Sequence, residues 1–304
     1  MNGTQVAEKA PRCEIAGHGR SLEFRLSQEP LATYILDPAQ PRPFLGDLTG
    51  PGGRVVTRPL DLSGVPEESR DHPHHRGVWT GHRSVGGADF WTDFDGHGRI
   101  VHRGGLESVA GPGRIRVSHR LHWLDGAGLA LLIESRALQF YPEQPDGSRF
   151  FDIRTTLLAP PGHSVTLADT KDAGLVALRV APSMEERRGG RIEKSDGVAG
   201  EEQCWVRPAR WCDYSGPVDG ATVGIAIFDH PANPRYPTTW HVRDYGLMAA
   251  NPFGYEEFFP GQDRAGALRI TDTQPVTFRY RLLIHPGDAT AGRVAARYQD
   301  FVAA

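Results

Sequence analysis

The chain has 304 residues and a mass of 33.4 kDa, so it can bury a large core in one β domain or in two closely packed ones. Its formal net charge of -3 and its isoelectric point of about 6.5 offer no basic patch for a nucleic acid or an anionic membrane, and we expect neither as a partner. Turns are frequent, because 36 residues are glycine and 24 are proline, and this density favours an all-β architecture.

Two features bear on the compartment. The first residues contain no apolar h-region, and no run approaches a membrane span of about 18 apolar residues, so we expect neither a signal peptide nor a transmembrane helix. Cys13, Cys204 and Cys212 are too few and too irregularly spaced for a disulfide framework or a CxxC zinc site, and we expect buried thiols. Both features favour the cytoplasm.

Alternating apolar and polar residues predict antiparallel strands through most of the chain. Residues 1–20 are expected to be frayed, and the first two strands are predicted over 21–27 and 31–37. One later strand alternates strictly enough to place five side chains on one face, which are Ile115, Val117, His119, Leu121 and Trp123.

The second half of the chain continues the strand pattern after a charged excursion over residues 183–205. Only the tail, residues 288–304, has helical spacing of its apolar residues, with Asp288 as the expected N-cap. No internal repeat and no linker interrupts the series. The sequence therefore predicts a single all-β domain over residues 1–304, a large antiparallel β-sandwich with one C-terminal helix.

Residues 70–91 contain four of the 13 histidines: His72, His74, His75 and His82. Imidazole titrates near neutrality and also ligates metals, so this density predicts a chemical role. If the chain is extended from His72 to His82, alternation places His72, His74, Arg76 and His82 on one side. His75 and Trp79 then face the other side.

The spacing of His72 and His74 places two imidazoles on one side of a strand, roughly 7 Å apart at their α-carbons, which suits one divalent metal ion. The third ligand is predicted to be His82 or a group from another strand. Two alternatives remain open at this point: metal-free histidines that act on protons or bind sugar, and structural histidines that satisfy loop carbonyls. If the third metal ligand is not His82, the candidates for it are Asp71, Glu202, His230 and His241.

Residues next to the histidines could hold a substrate. Arg76 could bind a carboxylate or a vicinal diol through two parallel hydrogen bonds, or it could form a surface ion pair with Glu67 or Glu68. The Trp79 side chain is more typical of a β core, although flat aromatic faces also stack on sugars.

Two further segments carry candidate groups. Residues 169–174 place Lys171 between two carboxylates, one of them Asp172, in a turn between strands. Residues 228–254 are rich in polar side chains between prolines, and an extended backbone there puts His241, Arg243 and Tyr245 on one face. His230 and Asn233 could instead cap the turn. We predict that this second segment forms the wall opposite the histidines.

Several motifs are missing. The sequence has no GxGxxG after a strand, no P-loop, no GxSxG elbow and no HExxH. We therefore expect neither a nucleotide cofactor nor serine hydrolysis.

The chain resembles the PmoA-like family of bacterial proteins in four separated signatures, which are DHPHHRGVW with a later DFW, WCDYSGP, GIAIFDHPANPR and PTTWHVRDYGLMAANPFG. The family name comes from a methane monooxygenase subunit that is an integral membrane protein, so the name is no guide to function here. The resemblance implies a β-sandwich similar to the galactose mutarotase-like supersandwich. The positions that match the family's signatures are His72, His74, His75, Arg76, His82, Asp172, Trp211, Tyr214, His230, Asn233, Arg235, His241, Arg243 and Asn251.

The leading hypothesis is a carbohydrate-active enzyme that acts on a sugar or an oxidised glycoside by acid/base proton transfer, as a lyase, a hydrolase or an epimerase, with or without a metal. The alternatives are a non-catalytic carbohydrate-binding sandwich and a non-haem metal-dependent oxygenase. The expected catalytic residues are His74, His75, His241 and Asp172, and the expected metal ligands are His72, His74 and His82. The expected substrate-binding residues are Arg76, Trp79, Tyr214, His230, Asn233, Arg235, Arg243 and Asn251.

Overall fold

The computed structural model describes residues 13–17, 19–26, 28–63, 65, 71–111, 113–262 and 265–303. Two large antiparallel sheets pack face to face, and one continuous hydrophobic core fills the space between them. The predicted all-β antiparallel sandwich is confirmed. Strands are numbered β1 to β19 and helices α1 to α3 in chain order.

The first sheet has eight strands. In the order in which they pair, they are β1 (Cys13–Gly17), β2 (Ser21–Leu26), β3 (Glu29–Ile35), β4 (Phe44–Gly46), β5 (Val78–His82), β12 (Ala173–Arg179), β17 (Leu247–Ala250) and β16 (Trp240–Val242).

The second sheet has nine strands. In pairing order they are β13 (Arg191–Lys194), β14 (Trp211–Val218), β15 (Ala221–Asp229), β19 (Val276–Pro286), β10 (Arg149–Leu158), β9 (Ala130–Phe140), β8 (Arg114–Leu124) and β6 (Arg99–His102), with β7 (Glu107–Gly111) also paired to β8.

A small third sheet pairs β11 (Ser164–Leu167) with β18 (Leu268–Thr271). The helices are α1 (Glu201–Cys204), α2 (Tyr255–Phe258) and α3 (Val294–Ala303), and single turns of 3-10 helix occupy Pro51–Gly53, Pro182–Met184 and Glu186–Arg188. Within the described ranges, no helix is both long enough and apolar enough to cross a membrane.

Strand β8 shows why alternation is a reliable guide in this fold. Its inner side chains are all buried, as the sequence predicts: Ile115, Val117, His119, Leu121 and Trp123. Burial of an indole N–H requires a partner, and the Trp123 Nε1 donates a 2.7 Å hydrogen bond to the Glu134 carboxylate.

The ends of the chain differ from the predictions. Residues 13–17 form the edge strand β1 and are not frayed, while residues 1–12 lie outside the described part. The helix α3 begins at Val294, because the Asp288 carboxylate accepts hydrogen bonds from the backbone N–H groups of Thr290 and Ala291 in a preceding turn. The helices α1 and α2 were not predicted.

The outer face of the eight-stranded sheet positions the candidate site. Trp79, Ala177, Ala249 and His241 are direct cross-strand neighbours on β5, β12, β17 and β16, so their side chains share that face. Three interstrand steps separate the first residue from the last, or roughly 14 Å between α-carbons.

Candidate functional site

The three clustered histidines lie on a turn and not on a strand. The His75 N–H donates a 3.1 Å hydrogen bond to the His72 carbonyl, and β5 begins only at Val78. The prediction of an extended chain from His72 to His82 is therefore wrong. As a result, His75 joins the other two rings: its centroid lies 4.8 Å from that of His72 and 4.4 Å from that of His74.

Buried arginines and a glycine hold this turn. The Arg58 Nη1 donates to the carbonyls of His72 and His75, at 2.8 and 3.1 Å, and Arg42 donates to the His74 carbonyl at 3.5 Å. Gly77 has a φ of 52°, and a Cβ there would collide with the Leu45 carbonyl. The backbone path that gathers the imidazoles is therefore fixed from several sides.

Aromatic rings support the imidazoles from below and above. His75 stacks on Trp79 with 5.2 Å between centroids and meets Trp91 at 5.9 Å, and both tryptophans are almost fully buried. On the outer side, His72 stacks on Tyr245 at 5.0 Å. Trp79 thus lies beneath His75, away from any position where it would contact a substrate directly.

His241 has a defined tautomer. Its Nδ1 lies 2.8 Å from the Lys171 carbonyl, which only accepts hydrogen bonds, so Nδ1 carries the proton and Nε2 carries the lone pair. The Asn251 side-chain amide donates to the same carbonyl at 2.7 Å and to the Thr170 carbonyl at 3.1 Å. Asn251 therefore positions the loop that orients His241.

Charged side chains surround the rings. The Asp172 carboxylate forms a 2.6 Å ion pair with Arg83, and its negative charge acts on both His74 and His241. The Arg243 guanidinium lies 5.8 Å from the Tyr245 ring centroid and 3.0 Å from the Glu201 carboxylate. We call the surface formed by His72, His74, His75, His241 and Tyr245 the histidine face.

Burial holds the inner imidazoles neutral. Desolvation lowers the pKa of His74 to about 4 and that of His241 to about 4, since an imidazolium would lose its hydration there. The pKa of His75 is also well below 6.5, first through desolvation and then through the neighbouring histidines. At neutral pH the three rings are therefore neutral and able to accept a proton or a metal.

His82 is not part of this group. It follows Val78 and Thr80 on the core side of β5, where its ring packs against Phe253 with 4.8 Å between centroids. Its Nδ1 accepts a 3.0 Å hydrogen bond from the Ser84 N–H, and desolvation lowers its pKa to about 3. His82 fits the alternative of a structural histidine.

The predicted metal set of His72, His74 and His82 is therefore not assembled, because the sheet separates the third residue from the first two. Within the described residues, no three histidine, cysteine, aspartate or glutamate side chains are arranged to hold a metal ion. A divalent ion held by His72, His74 and a further group stays a prediction.

Arg76 lies beside His74, and its guanidinium is bound to neighbouring groups of the protein. Its guanidinium contacts the Asp93 carboxylate at 3.3 Å, the Pro73 carbonyl at 2.8 Å and the Gln40 side chain. The alternative partners Glu67 and Glu68 lie outside the described residues. Arg76 therefore acts in this structure as a brace for the turn.

The segment 228–254 contributes only part of the predicted opposite wall. His241 and Arg243 lie on the histidine face, and Asn251 supports it from behind. The Tyr214 hydroxyl donates to the Asp244 carbonyl at 2.9 Å from within the core.

Three further candidates do not reach the histidine face. Arg235 donates to the carbonyls of Pro252, Gly266 and Ala267. Asn233 bonds to Asp229 and to the backbone of Arg279, and His230 contacts Phe301 beside the other sheet. The first two have structural hydrogen bonds, and His230 is on the wrong side of the sandwich.

Sequence reasoning missed residues that complete the face. The sequence pattern places Tyr245 on the same side as His241 and Arg243 but indicates no role for it, whereas in the structure its ring stacks on His72. Arg179, whose guanidinium lies 4.9 Å from the Tyr245 centroid, left no signal in the sequence, because a buried arginine on a strand is not distinguishable there from a surface one.

The fold and the site together define an all-β sandwich with a neutral, histidine-lined outer face. The chain belongs to the family described as "Family of unknown function (DUF6807)", whose model matches residues 21–299. The resemblance to the PmoA-like family is not confirmed under that name. None of the curated proteins compared with the chain matches it.

Several solved structures are similar in fold. A GH36 α-galactosidase from Geobacillus stearothermophilus is 9% identical over 92% of this chain and 42% of its own, with a TM-score of 0.46. A candidate aldose 1-epimerase from Escherichia coli K12 is 10% identical over 90% and 99% of the two chains, with a TM-score of 0.36. A galactose mutarotase related enzyme from Lactobacillus acidophilus is 9% identical over 91% and 98%, with a TM-score of 0.25.

The chain spans about two fifths of the length of the α-galactosidases that it matches.

Proposed function

We propose that the histidine face binds a small carbohydrate or glycoside and acts on it by acid/base proton transfer, as a lyase, a hydrolase or an epimerase. The observation that carries the proposal is the tautomer of His241. Its Nδ1–H is committed to the Lys171 carbonyl, which leaves the Nε2 lone pair as a base in a neutral ring.

The neighbouring groups supply the other requirements of such a reaction. The partly exposed Tyr245 ring, which stacks on His72, offers an aromatic surface against which a pyranose can pack. Arg243 and Lys171, both partly exposed, can hold substrate oxygens that become negatively charged. Asp172 stabilises the imidazolium that forms when His241 accepts a proton.

His74 and His75 act from the layer beneath. His75 is nearly inaccessible, so its part is to keep the neighbouring rings in place by stacking. His74 is slightly more exposed than His75 and lies against it, with 4.4 Å between the ring centroids.

The test is turnover of a panel of aldoses, glycosides and keto-glycosides in D2O, with and without a chelator, followed by NMR. We expect at least one substrate to react or to exchange a carbon-bound hydrogen. His241→Gln should then reduce the rate by about 100-fold or more, which is typical for the loss of a general base. The exposed His163 provides the control, and His163→Gln should leave the rate unchanged.

A second candidate is carbohydrate binding without catalysis. It is favoured by the low pKa of His241 and His74, because a base whose pKa is about 4 is weak at neutral pH, while a neutral imidazole still forms good hydrogen bonds. Saturable binding of a sugar with no reaction and no hydrogen exchange would support this candidate. Neither binding nor reaction with any member of the panel, by correctly folded protein, would contradict both.

A further inference from the structure

The outer face of the nine-stranded sheet carries a cavity of about 670 Å³. This face lies on the opposite side of the sandwich from the histidine face. A volume of this size is within the range of small-molecule sites and is sufficient for a ligand as large as a monosaccharide. The function proposed above does not use this cavity.

Cross-strand pairing explains the shape of the cavity. Ser118, Ala137, Arg154 and Arg279 are direct neighbours on β8, β9, β10 and β19, so their side chains form one row across the outer face. The first two residues are small and form a low floor. The two arginines form the wall beside it.

Arg154 and Arg279 carry like charges on adjacent strands, an arrangement that destabilises a sheet when nothing compensates it. Neither guanidinium forms an ion pair or a hydrogen bond with a side chain in the described part of the protein. Two cations therefore line one wall of the cavity. Two carboxylates also line it: Asp152 is bound to Arg281, and Glu107 forms no ion pair with Arg154 or Arg279 among the described residues.

In the next row of the same face, by contrast, the arginine has a counter-charge. The Arg281 guanidinium bonds to both oxygens of Asp152, at 2.6 and 2.9 Å, and lies 4.9 Å from the Tyr141 centroid and 4.8 Å from the Phe301 centroid. This row combines an ion pair with aromatic rings. It forms a preorganised second wall against which the body of a ligand can pack.

We propose that this cavity binds a small organic anion, a carboxylate or a phosphate ester of about monosaccharide size, with its oxyanion between Arg154 and Arg279. Two adjacent guanidinium groups present donors on neighbouring planes, which suits the several acceptor oxygens of such an anion. The ligand would also remove the repulsion between the two arginines, so the site gains from binding in two ways. The proposal is independent of the chemistry at the histidine face.

The experiment measures binding by calorimetry of four probes: glucuronate, glucose 6-phosphate, inorganic phosphate and glucose. We expect at least one of the anions to bind with a stoichiometry of one and glucose not to bind. Arg154→Gln and Arg279→Gln should each weaken that binding by about 10-fold or more, as expected when a hydrogen bond to a charged group is lost. A difference between glucuronate and glucose 6-phosphate tells the carboxylate from the phosphate ester.

Arg114→Gln is the matched control, because Arg114 is an exposed arginine on β8 that does not line the cavity. It should leave the affinity unchanged. The thermal midpoint of both test variants without ligand should equal or exceed that of the wild type, since each removes one of two repelling charges.

Three results would overturn the proposal. The first is no binding of any anion to the wild-type protein, and the second is equal weakening by the Arg114 variant, which would indicate a general charge effect. The third is a clear fall in the thermal midpoint of Arg154→Gln and Arg279→Gln, which would assign these side chains a structural role.

Discussion

Acid should destabilise the folded protein through His241 in particular. The pKa of this ring is about 4 in the folded protein, and the ordinary value of 6.5 applies to the unfolded chain. Between these two pH values the unfolded chain binds more protons than the folded protein does. The contribution of the His241 ring to the free energy of unfolding is therefore fully present above pH 6.5 and is lost as the pH falls towards 4.

The size of the effect follows from the two pKa values. At about pH 5, a group that shifts from 6.5 to about 4 on folding lowers the free energy of unfolding by about 2 kcal/mol relative to about pH 7.5. Urea unfolding at these two pH values gives the difference directly. Between about pH 7.5 and about pH 5, the free energy of unfolding of the wild-type protein should fall by about 2 kcal/mol more than that of His241→Gln. The variant has no imidazole to titrate at this position, and its glutamine amide can still donate a hydrogen bond to the Lys171 carbonyl.

Other histidines titrate too, so the comparison between the two proteins matters more than the loss in either one. His163→Gln replaces an exposed histidine and is measured beside His241→Gln as the matched variant. Equal pH dependence in wild type and His241→Gln would refute the reasoning, because it would mean that the ring is not held neutral by burial.

Three further substitutions test contacts around the site and in the main core. Glu185→Gln should lower the free energy of unfolding by about 3 kcal/mol or more in urea, because the fully buried Glu185 carboxylate pairs with the guanidinium groups of Arg179, Arg187 and Arg188; an unchanged value would contradict this. Gly77→Ala should lower the thermal midpoint, since a Cβ at that positive φ would collide with the Leu45 carbonyl, whereas alanine at the exposed Gly96, where no heavy atom lies nearby, should cost less. Trp123→Phe should cost about 1–3 kcal/mol in urea through the lost hydrogen bond to a fully buried carboxylate, and a cost near zero would refute that role.

Local pattern was sufficient to predict the strands. Alternation along β8 identifies the buried face correctly, because successive side chains of a strand point to opposite faces of the sheet. The same rule fails between His72 and His82. The chain turns at Pro73, so the side chains that follow do not alternate as they would on a strand. The wrong assignment of His82 to the metal set follows from that one assumption.

The site depends on contacts between residues that are far apart in the sequence. The Asn251 amide reaches a carbonyl 80 residues away at Lys171, and that carbonyl decides the tautomer of His241. No spacing rule connects these positions. The sequence could therefore nominate His241 as a candidate, but its partner and its protonated nitrogen required the folded chain.

The side chains on the outer face of the eight-stranded sheet restrict which substitutions the histidine face can accept. Ala177 and Ala249 are completely buried there, and with Trp79, Trp91, Phe44 and Leu247 they form a second hydrophobic cluster beneath the histidines. The imidazoles therefore pack as the outer layer of this hydrophobic cluster, in addition to the role in proton transfer that we propose for the face. A substitution at His75 would open a void over the tryptophans, so any drift in this site towards another chemistry is restricted to side chains that fill the same volume.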